Sequence, residues 1–179
     1  MRIQRFDEHR AMPWANGLGT SYEVASDRNA DGEWTWRVAI APVVEDGPFS
    51  SLSGVDRELV VIEGNGMVLD VDGISVECMS NQVVQFSGDS TTFARLVDGP
   101  VVDLGLMTVR DSVIGSMVVI ADVGDVIASD VIVAVGDAVF EDTDGKHYRL
   151  GNKDVLLDVR GHQLVLLSGT AIAVQMRSL

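Results

Sequence analysis

The chain has 179 residues, 46% of them hydrophobic, and carries 13 Lys+Arg against 27 Asp+Glu for a formal net charge of −14. That apolar content excludes a disordered chain, because enough surface can be buried to offset the entropy of ordering. The acidic balance argues against nucleic acid and anionic membranes as partners. The single cysteine, Cys78, excludes an intrachain disulfide framework and suits a reducing cytoplasm.

The first ten residues, Met1–Arg10, are too charged for a secretory leader, and no apolar run approaches the roughly 20 residues that span a bilayer. A soluble, cytoplasmic protein is expected. From there on the apolar stretches are short, Val- and Ile-rich and bounded by Gly, Asp, Asn or Ser, as in Trp36–Ala41, Leu59–Ile62, Met67–Val71, Val83–Phe86 and Val101–Met107. The same texture continues through Val131–Val135, Val155–Val159, Leu164–Leu167 and Ala171–Met176. Such runs predict strands, and no segment keeps a helical period over three turns. Asp72-Gly73 and Asp144-Gly145 each lie between two runs and predict hairpins.

Shifting the sequence by 72 residues without gaps lays Gly64 on Gly136, Asp70 on Asp142, Asp72-Gly73 on Asp144-Gly145 and Val83 on Val155. Two copies of one β module are therefore expected, residues 1–110 and 111–179, in an all-β, barrel-like architecture. The copies differ in decoration. The first holds Trp14, Trp34 and Trp36 and every unusual loop, so function is expected there, with the second module mainly structural.

Five stretches stand out: Met12–Thr20, Trp36-Arg37, Asp46–Ser50, Gly54–Arg57 and Phe86–Asp89. In their order and wording they resemble the HutD/Ves family. Its pattern runs through Met-Pro-Trp-Lys-Asn-Gly-Gly-Gly, Trp-Arg, Asp-Gly-Pro-Phe-Ser, Gly-hydrophobic-Asp-Arg, Phe-Ser-Gly-Asp and Asp-Phe-Asn-Leu-Met. Here Ala15 stands for the family Lys, Leu18 for the middle Gly, and Gly105 for the Asn of the last motif. The resemblance implies a double cupin-like jelly-roll barrel. It also implies a link to histidine utilisation without an established catalytic activity. A formiminoglutamate- or formylglutamate-like ligand and a regulatory role would follow from it.

The residues can also be weighed on their own. A metal site in a barrel needs two or three converging His, and this chain has only His9, His147 and His162, scattered, so neither metal nor other cofactor is expected. Arg37 and Arg57 are the candidates for gripping an anion, since a guanidinium offers a carboxylate two parallel donors. The competing reading pairs Arg57 with Asp56 or Glu58, and Arg37 with Asp46. Trp14 and Phe49 would wall a pocket, with Asn16, Thr20, Ser50 and Asp56 offering polar contacts. Ser50 has no nearby His to activate it, Asp89 reads as a turn residue, and Cys78 as an ordinary strand residue. The expectation is a small anionic metabolite held without metal, with a homodimer left open. The rival readings are a metal-independent isomerase or hydrolase using Asp56 or Asp89, and a scaffold protein whose barrel is filled by its own side chains.

Overall fold

The computed structural model describes residues 1–14, 17 and 19–179. The chain opens with β1 (Arg2–Gln4), a 3-10 turn (Phe6–Glu8), β2 (Arg10–Pro13), β3 (Thr20–Arg28) and β4 (Trp34–Val43). Then come β5 (Gly47–Pro48), β6 (Val55–Glu63), β7 (Met67–Val71), β8 (Ile74–Cys78), β9 (Val83–Ser87), β10 (Thr92–Leu96) and β11 (Val101–Val109). The remaining strands are β12 (Val113–Ile120), β13 (Val126–Ile127), β14 (Val131–Asp142), β15 (His147–Leu150), β16 (Val155–Leu157) and β17 (Leu164–Ser178). No helix of the described residues is long and apolar enough to cross a membrane.

Two compact units divide the chain: Arg10–Gly115 with Arg177–Leu179, and Met1–His9 with Ser116–Met176. In the first unit a six-stranded sheet in the order β2-β3-β4-β11-β6-β9 faces a four-stranded sheet, β5-β10-β7-β8. Their inner faces share one core, with Leu59, Val61 and Val84 from the larger sheet packed on Met67, Leu69, Cys78 and Ala94 from the smaller. Alternation along each strand produces this, since every second side chain points inwards. In the second unit β1-β16-β14-β17-β12 form one sheet, with β13 on β17 and β15 on β14. Its core gathers Ile132, Phe140, Leu156, Leu164 and Leu166, all fully buried.

The 72-residue repeat appears as repeated strand pairing. β7 pairs with β8 and β10, and β6 with β9 and β11. At the shifted positions β14 pairs with β15, β16 and β17. The first module breaks its long strands at Gly64 and Gly99, whereas β14 and β17 run on through a bulge and therefore serve twice.

Asp72-Gly73 forms the expected two-residue hairpin between Val71 and Ile74, with φ of 50° and 85°. Asp144-Gly145 differs. There the loop is longer, only Gly145 has positive φ (78°), and the Asp142 carboxylate accepts the N–H groups of Asp144 and Lys146, each at 3.0 Å. Residues 1–9, which sequence order places beside the first module, pair along β16 through Ile3↔Leu156. Arg5 ion-pairs with Asp154, and the same carboxylate accepts the N–H of Phe6 at 3.1 Å.

Candidate functional site

The inner face of the six-stranded sheet carries an unusual rank of side chains. Met107 of β11 lies directly opposite Arg37 of β4 on one side and Arg57 of β6 on the other. Directly opposed residues of antiparallel strands share a face, so two arginines stand one strand apart on the inside of the barrel. One step along, the rank is Ala39, Gly105 and Leu59; the next is Ala41, Asp103 and Val61. The small residues leave room. A cavity of about 420 Å³ lies over these ranks, with Trp14, Thr20, Tyr22, Phe49 and Ser50 also in its lining.

Each arginine is held by apolar rather than acidic neighbours. The Arg37 guanidinium lies 5.0 Å from the Trp34 ring centroid, with its terminal nitrogens 4.0 Å from Sδ of Met12 and 3.8 Å from Sδ of Met107. Its buried Nε has no hydrogen-bond partner among the described residues. Arg57 is clasped between Phe49 and Phe86, at 4.9 and 5.2 Å from their centroids, and donates to the Ser50 carbonyl at 3.2 Å. Ring faces attract the cation without consuming its directional donors. Desolvation lowers the pKa of both groups. Glu23 opposes this at Arg37 while Arg28 adds to it; Asp103 opposes it at Arg57 while Arg37 adds to it. Arg37 and Arg57 thus repel each other, and both remain charged at neutral pH.

Asp103 completes the site. Its residue is 4% exposed, and burial pushes its carboxyl up to about 7 against the pull of Arg57. No hydrogen bond or ion pair from a described residue reaches this side chain. Asp103 is the first residue of the stretch matching the family's Asp-Phe-Asn-Leu-Met motif, and the sequence alone assigns it no role. The available signal was a lone acid on the inward phase of an otherwise apolar strand.

The other anticipated residues fall as follows. Trp14 packs against the first unit's core and lines the cavity. It depends on Gly19, where a Cβ would come within 2.8 Å of the indole. Thr20, Phe49 and Ser50 line the cavity, Ser50 accepting from Arg57 through its carbonyl. Asn16 lies outside the described residues. Asp56 does not join the site, because alternation turns it to the opposite face of β6 from Arg57. There it pairs with Arg110 at 2.7 Å, and Arg110 also holds Asp89 at 3.0 Å. Neither of the two carboxylates weighed as an acid or base therefore reaches the cavity. The structural pairings weighed for the arginines also give way: Asp46 accepts the N–H of Leu96 at 2.8 Å, and Glu58 accepts from Gln85. The histidines are not brought together, with His9 buried against Phe6 and His147 on Glu141 at 2.7 Å.

The HutD family profile matches residues 6–174. The chain belongs to the HutD family. It is 34% identical over 110 residues to an uncharacterized 21.2 kDa protein in the hutC 3′ region of Pseudomonas putida. That match covers 60% of this chain and 57% of the relative, so the chain spans little more than half the length of this curated relative. HutD from Pseudomonas fluorescens SBW25 superposes with a TM-score of 0.83 at 27% identity, covering 99% of this chain and 98% of that one. A cupin 2 conserved barrel domain protein from Leptotrichia buccalis gives a TM-score of 0.60 at 8% identity over 99% of this chain and 96% of that one, a likeness of fold alone. The architecture of this HutD-family chain is accordingly all-β and double cupin-like.

Proposed function

We propose that this HutD-family protein binds a small carboxylate-bearing metabolite in the barrel of its first module, without a metal, acting in the cytoplasm as a sensor or regulator linked to histidine utilisation. One observation carries the reading: two guanidinium groups face one cavity from β4 and β6, the strands on either side of β11, and no acid forms an ion pair with either among the described residues. A half-buried cation that attracts an acid only from beyond ion-pair distance is costly, and two such cations beside one cavity are costlier, which supports an anion arriving from solution. Phe49, Phe86 and Trp34 hold the cations by their ring faces, which uses up none of the directional N–H donors of two residues that line the cavity. In a chain of net charge −14 this pair makes a local positive well that would draw an anion past an otherwise repulsive surface. The family match and the gene neighbourhood named for the Pseudomonas putida relative support the link to histidine utilisation.

The test is calorimetry with a panel of small mono- and dicarboxylates against their uncharged amides. Carboxylates should bind and amides should not. Arg57→Gln and Arg37→Gln should each weaken binding at least tenfold, about 1.4 kcal/mol or more. Equal binding of acids and amides, or unchanged affinity in both folded variants, would refute the reading.

A further inference from the structure

The cavity has a second polar end that an anion alone leaves unused. Asp103 lies two ranks from the arginines on the same face of β11, with Gly105 between them. At roughly 3.4 Å per residue the two ranks are about 13 Å apart between Cα atoms, and long arginine side chains close part of that gap. Between them the floor is nearly bare: a Cβ built on Gly105 would find only the Glu58 carbonyl oxygen, at 4.0 Å. Asp103 lines the cavity at 4% exposure and receives no hydrogen bond from a described residue. Such a carboxyl group costs stability wherever it stays unpaired, whether ionised or neutral. An apolar residue would fit the neighbouring core of Leu59, Val61 and Cys78 without that cost.

Resting on the carboxylate reading above, we infer that the ligand is bipolar: its carboxylate meets Arg37 and Arg57, its chain lies across Gly105, and an N–H or O–H donor at its far end meets Asp103. The two ends would recognise opposite halves of one molecule, which makes the site selective for amino- or hydroxy-substituted acids over plain carboxylates. A dicarboxylate of the same length would bring its second anion towards Asp103 and be disfavoured. Arg57 attracts Asp103 through space but makes no hydrogen bond to it, donating instead to the Ser50 carbonyl.

The probe is a length series of ω-amino acids, from glycine to 6-aminohexanoate, each titrated beside the unsubstituted carboxylate of matched length. One length should bind at least tenfold tighter than its match, and the corresponding ω-hydroxy acid should share the preference. In Asp103→Asn the ratio of amino-acid to plain-carboxylate affinity at that length should fall at least tenfold. If the plain and substituted acids bind alike at every length, the role of Asp103 is overturned and the carboxylate reading stands. If no carboxylate binds at any length, both fall. The wild-type comparison decides the matter even if Asp103→Asn does not fold.

Discussion

The two modules share strand pairings and differ in what fills the space between strands. In the second, Phe140, Leu156, Leu164 and Leu166 are fully buried in the interior. In the first, Ala94 stands 72 residues before Leu166, Gly105 and Ala39 floor the central ranks, and the volume left free becomes a cavity of about 420 Å³. The same β scaffold thus serves once as a packed support and once as a container. A barrel interior becomes a binding site when small residues vacate it and polar groups of defined reach line what is left.

The comparison can be broken in its packed half. Phe140→Ala should cost about 3–5 kcal/mol in denaturant unfolding, as expected for a fully buried aromatic whose loss leaves a void. A loss below about 1 kcal/mol would mean that the second core is not the tight support described.

A smaller effect is expected from Asp103→Asn, and its sign depends on pH. Burial on folding raises the carboxyl from the ordinary 3.8 to about 7, so the native state holds this proton more tightly than the unfolded chain. The stabilising contribution is complete below about pH 4 and is lost as pH rises through 7. Asp103→Asn should therefore overtake the wild type across that interval and stay on the order of 2 kcal/mol more stable above it. Thermal melts from pH 4 to 8 would check this; parallel curves would contradict it.

The smallest effect sharpens the comparison by filling the container. Gly105 has no positive φ and open space at its Cβ, so Gly105→Val should gain about 0.5–1 kcal/mol from strand propensity. It should also cost at least tenfold in carboxylate affinity. Gain in stability with loss of binding is the signature of a site kept empty for function.

Much of the fold was legible in the residues, for identifiable reasons. Short β-branched runs between turn formers give strands, and the 72-residue offset gives the duplicated pairing. Arg2-Ile3-Gln4, by contrast, carries nothing that distinguishes one sheet edge from another, so the pairing of β1 with β16 rests on long-range fit alone. In the site, Arg37 could be anticipated from the need for one of Trp36 and Arg37 to face inwards. Asp103 could not be linked to the arginines, because that link depends on the register of β11 between β4 and β6. Asp56 was misplaced for a related reason: being adjacent to Arg57 in a strand puts it on the opposite face.

The most direct measurement is nitrogen-15 NMR of the arginine Nε–H groups during titration with a small carboxylate. The Arg37 and Arg57 resonances should shift together and saturably, while that of Arg110, already engaged with Asp56 and Asp89, should stay still. Carboxylate binding that moves Arg110 and leaves the two barrel arginines unchanged would contradict the account.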